Sequence, residues 1–145
     1  GSKFTVAGGG TATLNQKVGR TLMTAKITMP ANGERAGFTL SDGIYTYFVG
    51  VRRENGKLYL TIRSESGDSE SAYIEILDPG TTEFDLKIVS EGRFIEAFVN
   101  DAYSVTAHTR LKNGEYTLAL FLMGENAAAE DIQIYQLADY NNIYN

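Results

Sequence analysis

The chain of 145 residues contains no cysteine, which excludes a disulfide framework and any thiolate site. This argues against a small, stapled secreted domain. Secretion stays open, because a core of this size holds without bridges. Basic charge is also short: 13 Lys and Arg stand against 18 Asp and Glu, for a net charge of −5. The basic residues are scattered, and Arg52-Arg53 is their only doublet. A nucleic-acid binder carries a basic excess or stripe, so nucleic acid is not an expected partner. No apolar run reaches the roughly 18 residues that would span a membrane as a helix. No window of about 11 residues keeps a helical apolar period without a glycine or a β-branched run breaking it. Residues 125–131, with Ala127, Ala128 and Ala129, are the one expected helical turn.

What is present points to strands. The chain has 15 glycines against 2 prolines, with 9 Tyr and 7 Phe, and is 43% apolar. That is the composition of a single β-rich domain with many turns. Strand-like segments recur at hairpin spacing: 11–15, 20–29, 35–40, 45–53, 57–64, 72–77, 83–89, 94–99, 103–110, 115–123 and 130–137. Turn signals separate them, among them Asn55-Gly56 and Asn113-Gly114. Residues 65–71 read as an exposed acidic, serine-rich loop. About eleven strands at this spacing predict an all-β, antiparallel two-sheet sandwich.

Gly1-Ser2 reads as the scar of a cleaved tag. The sandwich is expected over 3–137, and 138–145 as a tail or linker stub.

The stretch from Phe94 to Arg110 carries most of the functional signal. It reads as two strands joined by a tight turn at Asn100-Asp101-Ala102. In the second strand Tyr103, Val105 and Ala107 point one way, and Ser104, Thr106, His108 and Arg110 the other. The only histidine thus stands in a row of hydrogen-bonding groups. If Tyr59, Thr61, Arg63, Asp85, Lys87 and Glu96 share that face, it offers the paired donors, acceptors and rings that sugars require. A polar row is also what the solvated side of any antiparallel sheet shows. A second candidate is a loop cluster of Asp42, Tyr45 and Tyr47 with Glu125 and Asn126.

The string FIEAFVND at 94–101, followed by SVTAHTR at 104–110, resembles the C-terminal β-sandwich of glycoside hydrolase family 32, the fructan-cleaving enzymes. YTLALF at 116–121 and DIQIYQL at 131–137 resemble its closing strands. AGFTL at 36–40, YFVGV at 47–51 and GKLYL at 56–60 are similar to the general concanavalin A-like jelly roll. The same pattern is similar to carbohydrate-binding module family 66. An Asp-Arg-Ser element common in the hydrolase module is absent from 57–82, which favours a divergent or free-standing binding module. The hydrolases' catalytic propeller, with its Asp-Pro-Asn and Glu-Cys motifs, is missing too.

The resemblance therefore implies carbohydrate binding without hydrolysis, with a fructan (levan or inulin) as foremost ligand. It implies a bacterial, extracellular setting in which the module is tethered to a catalytic domain. The expected ligand-binding residues are Tyr59, Arg63, Glu96, His108, Arg110, Asp42, Tyr45, Tyr47, Glu125 and Asn126. No cofactor is required. Concanavalin-like sandwiches imply a structural Ca²⁺, for which Asp131 is the candidate ligand, although no Asp-x-Asp-x-Asp loop exists. Two other readings remain: an adhesion or protein-interaction sandwich, and a jelly-roll glycosidase acting on another glycan. The latter needs two carboxylates facing each other at about 5 to 9 Å. Asp85 with Glu96 is the nearest such pair by face, while Glu65/Asp68/Glu70 and Glu130/Asp131 lack the required strand pattern. The lone histidine has no nucleophile elbow to form a triad.

Overall fold

Alternation of apolar and polar residues dictates most strands of this chain. In 83–90 (EFDLKIVS), Phe84, Leu86 and Ile88 are buried while Glu83 and Asp85 face water, the pattern of a strand with one covered face. The computed structural model describes residues 3–6, 10–65, 71–112 and 115–137, with side chains for 19–65, 72–112 and 115–137. Residues 1–2, 7–9, 66–70, 113–114 and 138–145, and with them the expected scar, most of the expected loop, the second Asn-Gly turn and the tail, lie outside the described residues.

The strands are β1 (Lys3–Val6), β2 (Gly10–Val18), β3 (Thr21–Thr28), β4 (Arg35–Ser41), β5 (Thr46–Glu54), β6 (Lys57–Ser64), β7 (Ser71–Ile76), β8 (Glu83–Ser90), β9 (Phe94–Val99), β10 (Tyr103–His108), β11 (Tyr116–Met123) and β12 (Ala127–Gln136). They form two six-stranded sheets. Sheet I runs β1-β12-β3-β8-β9-β10, and sheet II runs β2-β11-β4-β5-β6-β7. Every pairing is antiparallel. The fold is the expected all-β two-sheet sandwich of jelly-roll type. Met23, Ile27, Phe84, Leu86 and Ile88 of sheet I meet Phe38, Val49, Leu58, Leu60, Ile62 and Leu120 of sheet II in the core. Burying each such side chain stabilises the fold by roughly 1.5–3 kcal/mol.

Turn chemistry fixes the hairpins. Asn55 and Gly56 have φ of 52° and 77°, and Asn100 and Asp101 have φ of 55° and 51°. Both central residues are left-handed in each case. That is the type I′ geometry whose twist matches the flanking strands, and Asn and Asp tolerate it.

Two sequence expectations are corrected here. The structure adds a twelfth strand, β1, and carries β2 past Asn15 across an irregularity opposite Leu118 and Ala119. The expected helical turn is instead the start of β12. Ala127, Ala128 and Ala129 pair with β1, and Ala128 and Ala129 also pair with β3. Alanine's helix preference is small, and pairing on both sides of the segment overrides it.

The outer face of sheet II breaks the simple rule. Phe48 points outward between Tyr47 and Val49, yet is fully buried. Its neighbour along the strand is Gly50, which pairs with Gly37 of β4. The missing side chains let the Phe48 ring lie flat, with Phe121 edge-on at 5.6 Å. The Arg35 guanidinium covers both rings, at 4.9 and 4.6 Å from their centroids, and is held by Glu65.

Candidate functional site

The outer face of sheet I carries the richest chemistry. Register places its side chains in rows across the strands. One row runs Gln133, Thr24, Lys87, Phe98, Ser104; the next runs Tyr135, Leu22, Val89, Glu96, Thr106. Between β12 and the β9–β10 turn this face sinks into an open hollow of about 450 Å³, lined by Thr24, Lys26, Asp85, Lys87, Phe98, Asp101, Asp131 and Gln133. A second hollow of about 410 Å³ adjoins it, sharing Lys26 and Asp85 and adding Thr28, Glu83, Asn100 and Glu130.

Local structure builds both walls. On one side, Glu130 pairs with Lys26 and Gln133 with Thr24, so Asp131 and Ile132 together oppose the single residue Ala25. This is a β-bulge, with Asp131 left-handed at φ 53°. It sets Asp131 beside the hollow, its carboxylate 4.0 Å from Lys26 Nζ. On the other side the type I′ turn presents Asp101, while Asn100 Oδ1 accepts a 2.7 Å hydrogen bond from the Asp85 amide and pins the start of β8. Phe98 forms an apolar floor, with Lys87 Nζ 4.7 Å from its ring centroid. Gln133 Oε1 accepts from the Tyr135 hydroxyl. Three carboxylates (Asp85, Asp101, Asp131) thus face two ammonium groups (Lys26, Lys87) around the Phe98 ring, and Glu83 and Glu130 line the adjoining hollow. Such a surface offers hydroxyl partners above an apolar patch.

The structure brings together only part of the expected site. Asp85, Lys87, Glu96, Ser104, Thr106 and His108 do share the outer face of sheet I. Tyr59, Thr61 and Arg63 do not: they lie on the outer face of sheet II, on the far side of the sandwich. There Arg52 covers the Tyr59 ring at 4.7 Å, and Tyr73 meets it edge-on at 5.8 Å. Alternation gives a residue's side of its strand but not the sheet that the strand joins. Glu96 pairs with Val89, four residues along β8 from Asp85, a separation of roughly 13 Å at about 3.3 Å per residue. They are not the facing pair that glycoside cleavage requires. His108 sits at the far end of β10, edge-on to Phe94 at 5.5 Å. Arg110 has left the strand, which ends at His108. Its amide donates to the Tyr47 hydroxyl and its guanidinium lies 5.9 Å from the Tyr45 ring.

The loop cluster is also divided. Asp42 and Tyr45 belong to the β4–β5 connection, whereas Glu125 and Asn126 lie in the β11–β12 turn. Because β4 and β11 are antiparallel, with Ser41 opposite Thr117 and Arg35 opposite Met123, the two connections sit at opposite ends of the sandwich. Tyr47 is a core residue, 1% exposed.

Asp42 is a structural acceptor. Its carboxylate takes the amides of Tyr45, Ile44 and Lys112 at 2.7, 2.8 and 3.2 Å. Partial burial pushes its pKa up, but the three amides and the Lys112 charge together outweigh this and hold it below the ordinary 3.8. The charged form is favoured in the folded state. The stabilisation is therefore complete above pH 3.8 and is lost as pH falls through the lower folded value. Asp42→Ala is expected to cost about 0.5–1.5 kcal/mol at neutral pH, and urea unfolding should show that gap narrowing in strong acid.

Among the described residues no three His, Asp or Glu side chains converge to hold a metal ion. Asp131, the candidate calcium ligand, lies 4.0 Å from Lys26 Nζ. Sequence reading missed Thr24, Lys26, Phe98, Asp101 and Gln133. Asp101 was legible as a turn residue, and Phe98 stood in the apolar stretch before it. Nothing in the pattern set β12 beside β3.

No family model and no curated protein matches this chain. Solved structures do match its fold. The CB05 structure of A. japonicus has a TM-score of 0.76 at 12% identity, over 95% of this chain and 26% of its own. The wild-type fructosyltransferase of A. japonicus gives 0.72 at 14%, over 95% and 26%. The β-fructofuranosidase of Aspergillus kawachii, complexed with glycerol, gives 0.66 at 15%, over 92% and 27%. The chain spans about a quarter of the length of each of these proteins.

Proposed function

We propose that the chain is a non-catalytic carbohydrate-binding module that recognises a fructan and tethers a secreted bacterial glycoside hydrolase to its polymer. The observation that carries this reading is the hollow over Phe98, where one ring is framed by Lys87, Lys26, Gln133, Asp85, Asp101 and Asp131. Vicinal hydroxyls suit carboxylate and amide acceptors, and sugar C–H faces suit a ring. The likeness of the fold to parts of a fructosyltransferase and a β-fructofuranosidase supports the choice of fructan. The absent hydrolase motifs and the distance between Asp85 and Glu96 support binding without cleavage. A tether of this kind works by raising local concentration.

Calorimetric titration with levan, inulin, fructose, xylan and laminarin tests it. A fructan is expected to bind with a Kd on the order of micromolar to millimolar. Heat from laminarin alone would overturn the ligand and keep the class; no heat from any glycan would overturn the class. The excess of carboxylates makes a further expectation. Polygalacturonate, an anionic chain, should bind at least about tenfold more weakly than a neutral fructan at low salt, because like charges meet in the groove.

A further inference from the structure

We propose that the chain forms a two-fold dimer through β7, which pairs antiparallel with the β7 of a second copy and continues sheet II across the interface. Among the described residues β7 pairs only with β6, so its other side offers a row of free backbone donors and acceptors. Its register with β6 is unbroken from Leu58–Ile76 to Arg63–Ser71. Residues 71–76 (SAYIEI) hold no proline, lysine or bulge, the usual devices that blunt an edge. The exposed apolar side chains gather here as well. Of five large ones exposed among the described residues, three are Tyr73 (63%), Ile74 (38%) and Leu77 (76%). They flank the strand on both of its faces.

Charge and parity make β7 complementary to a second copy of itself. Side chains directly opposite one another must share a face, so self-pairing centres on a single residue. Centred on Ile74, the pairing sets each Ile74 against its copy and extends the inner row Leu60–Ile74 into the other sheet. It places Glu75, the only charged residue of β7, against Tyr73 of the second copy. The register that would set the two Glu75 side chains opposite each other is disfavoured by like charge. The Leu77 amide, bonded to the Tyr103 hydroxyl at 3.1 Å, fixes the end of the strand and keeps the edge straight.

Sedimentation velocity from low to high micromolar concentration, with hydrogen exchange at both ends, tests the proposal. The mass should rise toward twice the monomer value, and the β7 amides that do not face β6 should gain protection with it. Ile74→Lys should abolish association. Tyr73→Lys, at a side chain that points to water, should do so without risk to folding. A monomer at every concentration, a dimer that survives both substitutions, or a dimer whose β7 amides stay unprotected would each overturn it. Glycan titration of the monomeric variants reads the sugar-binding proposal separately.

Discussion

Gly50→Ala is expected to destabilise the domain by at least about 3 kcal/mol, and Gly50→Val to prevent folding. A Cβ on Gly50 would lie 2.4 Å from the Ala36 carbonyl oxygen and 2.8 Å from Gly37 Cα. On Gly37 it would lie 2.2 Å from the Val49 carbonyl oxygen. These are backbone atoms, so no side-chain tip can swing aside. β4 and β5 are held from outside by β11 and β6, and separating them would break the ladder at the centre of sheet II. A loss of this size is a large share of the roughly 5–15 kcal/mol that such domains possess. Urea unfolding is the measurement. Thr39→Ala, on the same face, is the control and should shift stability by less than about 1 kcal/mol. A Gly50→Ala midpoint close to that of the control would show that the strands can part.

Phe98→Ala is expected to weaken fructan binding about tenfold or more, the equivalent of about 1.4 kcal/mol. The ring supplies the apolar floor of the hollow and holds the Lys87 ammonium 4.7 Å above itself, so its loss removes a contact and loosens a donor together. Phe98→Leu should recover part of the affinity by restoring bulk. His108→Ala should change it by less than about twofold, because His108 stands four residues along β10 from Ser104, roughly 13 Å from the row that holds Phe98. Calorimetry on the three variants, with thermal unfolding alongside, decides the matter. Loss of binding in His108→Ala with retention in Phe98→Ala would move the site to the Phe94–His108 end of the sheet.

The fold was legible in the sequence wherever local chemistry settles the backbone. The alternation of 83–90, the Asn55-Gly56 turn and the Asn100-Asp101 turn each determine their own geometry. The site was legible in part, for a physical reason. Alternation placed Asp85, Lys87, Glu96, Ser104 and His108 on the polar sides of their strands, and those strands are sheet neighbours. Tyr59 and Arg63 obey the same rule in β6, which joins the other sheet. Phe48 was unreadable as a buried residue, since its cover comes from Phe121 and Arg35 on other strands. The three alanines at 127–129 show the opposite failure, a local preference overruled by two long-range pairings.

The bulge at Asp131 has a consequence for how this surface can change. Before it, the even-numbered residues Ala128 and Glu130 face outward; after it, the odd-numbered Gln133 and Tyr135 do. The strand therefore carries a frame shift of one residue. Deleting Ile132 would remove the bulge while leaving Glu130 opposite Lys26 and Gln133 opposite Thr24, so Gln133 and Tyr135 would keep their outward face and Asp131 alone would oppose the inward Ala25, its carboxylate turned from the hollow toward the core. Point substitutions in the hollow can accumulate without touching the core, whereas the loss of Ile132 would drive a carboxylate into it. The core should thus be indifferent to drift in the hollow's side chains and sensitive to the loss of Ile132.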